Sequence, residues 1–109
     1  MKGIAFLSGL ISGLLTSSMV LPAMAQVTSD GTTNTTVNSI DNNFNIINGI
    51  QKGNNLFHSF KEFSIPTGGS ATFNNSTDVV NIINRVTGGN ISNIDGLIKS
   101  QGNANLFLI

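Results

Sequence analysis

The side chains able to do acid–base or metal chemistry are few and widely spaced in this 109-residue sequence. His58 is its one histidine, and the nearest carboxylate, Glu62, follows four residues later. Successive acidic residues lie eleven or more positions apart, so spacing alone pairs no two carboxylates for general acid–base catalysis. Asp78 and Asp95 could approach each other only if the chain stacks in coils. We therefore expect no catalytic residues, a chain that is not an enzyme, and a packed or solvated His58.

Cofactor and nucleic-acid binding are also disfavoured by composition. The sequence has no cysteine, and a single histidine cannot supply the clustered ligands of a transition-metal site. Gly68-Gly69 and Gly88-Gly89 lack the lysine and hydroxyl residue that complete a phosphate-binding loop. Five basic residues balance five acidic ones, which leaves no cationic surface for a phosphate backbone. We expect no metal, no cofactor and no nucleic acid.

Residues 1–25 have the layout of a secretory signal peptide. An early lysine precedes an apolar run over 4–21, and Ala23-Met24-Ala25 then offers small residues to a signal peptidase. We predict cleavage between Ala25 and Gln26. A retained membrane anchor is the alternative, but glycine and serine interrupt the apolar run and a proline follows it. The rest of the chain is thus expected to leave the cytoplasm.

The composition of residues 26–109 favours short β-strands joined by tight turns. Sixteen asparagines and eleven isoleucines fall in this region. β-Branched apolar residues favour strands, whereas asparagine and glycine favour turns. Apolar clusters separated by turn residues predict nine strands, at 37–40, 44–50, 56–60, 63–65, 71–73, 79–86, 91–94, 97–98 and 106–109. The preceding residues 26–36 are polar and are expected to form a turn or a frayed start.

Two all-β arrangements fit this pattern: a sandwich or barrel, and a parallel β-helix. A sandwich or barrel would show clean alternation, yet Val79-Val80 and Ile82-Ile83 are adjacent apolar pairs. The Thr-Gly-Gly triplet at 67–69 recurs at 87–89, and this 20-residue spacing is typical of one coil of a solenoid. Asparagines at equivalent positions of stacked coils would also bond to one another through their amides. These observations favour the β-helix.

Two apolar features indicate where the core lies and how it continues. Phe57, Phe60 and Phe63 follow one another at intervals of three residues. Serine and proline nearby disfavour a helix, so packing in a β-core is favoured over an exposed aromatic ridge. The last segment, 106–109, is also apolar. A solenoid ending there would expose a hydrophobic edge, so we expect the chain to be the front part of a longer protein.

The order of motifs along the chain resembles the filamentous haemagglutinin family. The similar segments are NLFHSFKEF at 55–63, PTGG at 66–69, FNNS at 73–76, NIINRVTGGNIS at 81–92 with Gly96, and NANLFLI at 103–109. Together they resemble the N-terminal secretion domain of two-partner-secreted exoproteins, in the form common among cyanobacteria. The chain departs from many relatives in lacking an Asn-Pro-x-Leu motif.

The resemblance implies a right-handed parallel β-helix with an N-terminal cap, left incomplete at the C-terminus, over residues 26–109. It also implies that a dedicated outer-membrane barrel with periplasmic docking domains recognises this region and exports the exoprotein. Such exoproteins are often adhesins, on the surface or in the medium of a Gram-negative-type bacterium, and glycans are further implied partners. The alternatives are a carbohydrate-binding adhesin module and the front of a polysaccharide-degrading β-helix enzyme.

Recognition by the transporter is expected at two segments of the similar region. The first begins the 55–63 motif and the second surrounds the second Thr-Gly-Gly triplet. The residues concerned are Asn55, Leu56, Phe57, His58, Ser59, Phe60, Asn84, Arg85, Val86, Thr87, Gly88, Gly89 and Asn90. The two segments lie far apart in sequence, so the fold must bring them together if they form one site.

Overall fold

The computed structural model describes residues 26–109, and this part of the chain is all-β, as the sequence predicts. Its strands are β1 (Val27–Ser29), β2 (Thr35–Ile40), β3 (Asn43–Asn48), β4 (Ile50–Lys52), β5 (Asn55–Phe63), β6 (Ser70–Phe73), β7 (Asn81–Val86), β8 (Leu97–Ser100) and β9 (Asn105–Leu108). Between residues 26 and 109 no helix is long and apolar enough to span a bilayer. The predicted signal peptide lies outside the described residues.

The strands form two mixed sheets. In the five-stranded sheet, β1 and β4 both pair antiparallel with the long strand β5. On the other edge of β5, β7 pairs in parallel, and β9 pairs in parallel with β7. In the four-stranded sheet, the hairpin β2–β3 is followed by the parallel neighbours β6 and β8. From β5 onward, successive strands therefore alternate between the two sheets.

The spacing between paired strands differs from the 20 residues suggested by the Thr-Gly-Gly triplets. Side-chain contacts between paired strands join Asn81 to Asn55 at a separation of 26, Asn105 to Asn81 at 24, and Ser70 to Asn43 at 27. The triplet at 67–69 precedes β6 of the four-stranded sheet, whereas the triplet at 87–89 follows β7 of the five-stranded sheet. The triplets are therefore not equivalent, and the 20-residue repeat is wrong.

The expected asparagine stacking is confirmed at the first residues of three parallel strands. The amide of Asn81 donates to the side-chain oxygen of Asn55 at 2.9 Å, and that of Asn105 donates to Asn81 at 3.2 Å. A primary amide carries both donors and an acceptor, so one side chain can bond to the strand before it and the strand after it. These contacts hold β5, β7 and β9 in register where the strands begin.

The core lies between the two sheets. Ring centroids of Phe60 and Phe63 are 5.0 Å apart, and those of Phe63 and Phe73 are 6.2 Å apart, which joins the five-stranded sheet to the four-stranded one. Phe60 and Phe63 thus occupy the core as predicted, whereas Phe57 is only half-buried on the opposite face of β5. The side chains that are at most 1% exposed include Ile46, Phe60, Phe63, Ile65, Ala71, Phe73 and Ile82.

Four local predictions need correction. The strands predicted at 56–60 and 63–65 form one continuous strand, β5, which ends at Phe63. The supposedly frayed segment 26–36 contains β1 and the first residues of β2. The segment 91–94 forms no strand; Ile94 alone makes a parallel bridge, with Ile65. The predicted strand 44–50 is interrupted at Gly49, whose φ is 89°. A Cβ there would lie 2.7 Å from the His58 ring, so the chain turns at a residue without one.

Candidate functional site

The fold brings the two predicted recognition segments side by side. In the parallel pairing of β5 with β7, Ser59 is the register partner of Arg85, and Phe60 is the partner of Val86. The pairing extends beyond β7, because the Thr87 amide donates to the Phe60 carbonyl at 2.8 Å. Segments separated by more than twenty residues in sequence therefore form one continuous patch, which lies across β5, β7 and the turn after β7.

The predicted residues divide between the two faces of the five-stranded sheet. Leu56 and Phe60 are in the core. Asn84 is also fully buried, and its amide donates to the Phe107 carbonyl at 3.0 Å, while its side-chain oxygen has no hydrogen-bond partner within residues 26–109. Phe57 and Arg85 lie on the outer face. Phe57 and Arg85 are therefore accessible to a partner protein, whereas Leu56, Phe60 and Asn84 are buried beneath them.

His58 is a core residue. It is 2% exposed, its Nδ1 lies 2.9 Å from the Thr35 hydroxyl, and its ring lies among those of Phe60 and Phe73. Burial lowers the pKa of His58 from 6.5 to about 4. Glu62 is held elsewhere, by the side-chain amides of Gln26 at 3.0 Å and Asn90 at 2.6 Å. The Glu62 carboxylate therefore makes no hydrogen bond to the His58 imidazole.

The stability of the fold should fall with acidification because of His58. The unfolded chain takes up the proton near pH 6.5, whereas the buried imidazole resists it down to about pH 4. We expect about 2 kcal/mol of stability, present above pH 6.5, to be lost between pH 7 and pH 4.5. Urea midpoints at both pH values measure this loss, and His58→Gln should reduce it. An equal loss in wild type and variant would show that His58 does not cause it.

Asp30 fastens the N-terminal segment to the predicted recognition segments. Its Oδ2 accepts hydrogen bonds from the Ser59 hydroxyl at 2.5 Å and the Thr87 hydroxyl at 2.8 Å. Its Oδ1 accepts from the Thr32 amide and hydroxyl, at 3.0 and 2.7 Å. Donation by Ser59, then by Thr32 and Thr87, holds the pKa of Asp30 far below its usual range. The sequence marked only a turn at this aspartate.

Two of these hydroxyls, those of Ser59 and Thr32, position Arg85. Its Nε donates to the Ser59 hydroxyl at 3.1 Å, and its Nη2 donates to the Thr32 hydroxyl at 3.4 Å. Each hydroxyl can give its own proton to Asp30 while accepting one from the guanidinium. The carboxylate and the guanidinium therefore lie on opposite sides of a pair of bridging hydroxyls, and Arg85 is held on the outer face of β7.

An apolar strip crosses the outer face of the five-stranded sheet beside Arg85. It consists of Ile50, Phe57, Ile83 and Phe107, which are register partners on β4, β5, β7 and β9 and which we call the outer strip. Ile50 is 40% exposed and Phe107 is 49% exposed. Between Phe57, Ile83 and Ile109 lies an open depression of about 280 Å³, with Arg85 on its edge. Ile83 and Phe107 are not among the recognition residues predicted from the sequence.

The remaining acidic residues form no metal centre in the described part of the chain. No three histidine, cysteine, aspartate or glutamate side chains cluster between residues 26 and 109. Asp78 accepts hydrogen bonds from Ser76 and Gln51, and Asp95 lies at a different corner, where its amide donates to Ile65. The suggested stacking of Asp78 on Asp95 is therefore not formed.

These features describe an all-β domain that presents an apolar strip and a positioned arginine on one face. A family model, the TPS secretion domain, matches residues 25–109. The chain therefore belongs to this family, the N-terminal two-partner-secretion domains of filamentous haemagglutinin-type exoproteins. No protein among the curated ones matches the chain.

Membership confirms that the sequence resembles the secretion domains of filamentous haemagglutinin-type exoproteins. The domain is a secretion-recognition module of an exoprotein, and its partner is a transporter in the outer membrane. The protein is secreted through that transporter in a Gram-negative bacterium. The match covers almost the same residues as those predicted to follow the signal peptide.

Proposed function

We propose that the outer strip and Arg85 are the surface by which the periplasmic docking domains of the transporter recognise this exoprotein. Of the residues predicted to take part, Phe57 and Arg85 contact the docking domains. The buried residues, among them His58 and Asn84, hold β5 and β7 in place. Ile83 and Phe107 extend the contact onto β7 and β9.

The observation that carries this proposal is a continuous row of half-buried and exposed apolar side chains across four strands. Most side chains on the solvent face of a sheet are polar, whereas this face aligns Ile50, Phe57, Ile83 and Phe107 in register. Contiguous exposed apolar surface in a folded domain is typical of a protein-binding site. Aromatic and arginine side chains are also the residues that contribute most to binding energy at such sites.

We further propose that the two sheets form a right-handed parallel β-helix, with β1, β2 and β4 in its N-terminal cap. Parallel pairing of β5 with β7 and β9, and of β3 with β6 and β8, supports this arrangement. The antiparallel strands β1 and β4 cover the remaining edge of β5, where a preceding coil would otherwise pair. Such a cap would stop strand addition at that edge.

The division of the chain and the nature of the cargo complete the proposal. Residues 1–25 act as a signal peptide that is cleaved before Gln26, and residues 26–109 belong to the secretion domain. The exported protein is an adhesin or haemagglutinin, on the cell surface or in the medium. The family match over residues 25–109 supports the position of the secretion domain, and the resemblance of the 55–63 and 81–92 motifs to filamentous haemagglutinin supports the assignment of the cargo.

Export from cells that produce the cognate transporter tests the recognition surface. Phe57→Ser should weaken recognition roughly thirtyfold, because loss of an aromatic anchor costs about 2 kcal/mol. Secreted protein in the medium, measured against the amount retained in the periplasm, should fall accordingly. Ile40→Ser is the matched control, since Ile40 is 77% exposed on the other sheet. Equal export of the two variants would contradict the proposal.

A further inference from the structure

Arg85 has hydrogen-bonding capacity directed to solvent at the outer strip. A guanidinium has five N–H donors, and the described contacts use one at Nε and one at Nη2. Both contacts go to hydroxyl groups, those of Ser59 and Thr32, rather than to a carboxylate. The side chain is exposed, so its other donors are available to a partner.

The position of this guanidinium is fixed before any partner arrives. The Ser59 side chain, 1% exposed, is held by Asp30 at 2.5 Å, and Thr32 is held by the same carboxylate at 2.7 Å. An arginine whose Nε and one Nη are already bound loses little further side-chain freedom on binding. Its planar fork of donors matches the two oxygens of a carboxylate.

The depression next to Arg85 favours a partner that also carries an apolar side chain. Its volume of about 280 Å³ is at the lower limit of small-molecule pockets, which are about 300–1,000 Å³. It is open, and Phe57, Ile83 and Ile109 line it together with Thr33, His58, Ser59 and Arg85. A single large apolar side chain fits such a depression better than an extended ligand does.

We infer that the transporter segment bound here presents a carboxylate to Arg85 and an apolar side chain to the depression. This inference rests on the proposed recognition function and specifies its chemistry: an acidic residue, aspartate or glutamate, next to an apolar one. Charge complementarity at Arg85 and continuity with the outer strip select this occupant over a purely apolar one. Arg85 then determines which docking segment is accepted, and Phe57 supplies most of the apolar contact.

The test is the affinity of the mature chain for the isolated docking domains of the cognate transporter, measured at two salt concentrations. Arg85→Met keeps the length of the aliphatic stem and removes the charge. It should weaken binding tenfold or more at about 50 mM NaCl, since the variant can no longer donate charge-assisted hydrogen bonds to the carboxylate of the partner. Raising NaCl to about 300 mM should weaken wild-type binding several-fold and change the variant little. Lys99→Met, on the other sheet, is the charge control and should bind like wild type.

A second experiment places the substitutions in the docking domains, so that its first result depends only on the wild-type chain. Aspartates and glutamates of the docking domains are changed to lysine one at a time, and one of these changes should weaken binding of the wild-type chain tenfold. Arg85→Glu should restore part of that loss for that change alone. Equal binding by Arg85→Met and Lys99→Met, with no sensitive acidic position, would overturn the inference and leave the recognition function standing. Absence of wild-type binding would overturn the recognition function itself.

Discussion

Phe60→Ala should cost about 3–5 kcal/mol of unfolding free energy, because this substitution leaves a cavity that the surrounding core cannot fill. Phe60 is fully buried, and its ring contacts those of Phe63, Phe73 and His58. These rings come from both sheets, so the cavity would open where the sheets meet. Urea unfolding of the mature chain, followed by far-UV circular dichroism, measures the change.

Phe57→Ala is the matched control, three residues away on the opposite face of β5. Its ring is half-buried and lies on the outer strip, so the same substitution should cost about 1 kcal/mol. It should nevertheless reduce binding to the transporter more than stability. A similar loss of stability in both variants would mean that the two faces of β5 are not distinguished as described.

Gly88→Ala should also destabilise the fold strongly, by about 3 kcal/mol. A Cβ at this position would lie 2.1 Å from the backbone oxygen of Lys61, to which the Gly88 amide donates at 2.9 Å. The added methyl group must push the turn after β7 away from β5. The neighbouring contacts of Thr87 with Phe60 and Asp30 would be lost with it.

Gly89→Ala tests whether this effect is steric. Nothing lies within 4 Å of a Cβ at Gly89, and its φ is not in the left-handed region, so the change should alter stability by less than about 1 kcal/mol. Both variants have the same composition and differ only in which glycine is replaced. Urea midpoints that coincide for the two would contradict the close approach at Gly88.

The strands were predictable because their signals are local. Alternation, β-branched residues and turn residues act within a few positions, and they placed β6 to β9 close to where these strands lie. The stacking of Asn55, Asn81 and Asn105 was also foreseeable, since a ladder needs only one amide per strand. The face of the sheet on which Ile83 lies could not be predicted. Ile82 and Ile83 are adjacent and identical, and only the pairing of β7 with β5 determines which of them faces the core.

The glycine triplets misled the prediction of the repeat because each serves a local steric need. A Cβ at Gly69 would lie 2.6 Å from the Asn42 carbonyl, and one at Gly88 would meet that of Lys61. These two close contacts occur at different turns of the chain. The two identical triplets therefore do not occupy equivalent positions in successive coils. The role of Asp30 escaped notice for a related reason: its partners Ser59 and Thr87 are distant in sequence and give no periodic signal.

The recognition surface is tested most directly by equilibrium binding of the mature chain to the docking domains of its transporter. We expect wild type and Ile40→Ser to bind equally and Phe57→Ser to bind roughly thirtyfold more weakly, with its circular dichroism unchanged. Binding of Phe57→Ser with wild-type affinity would contradict the assignment of recognition to the outer strip. Failure of the wild-type chain to bind at all would contradict the recognition function as a whole.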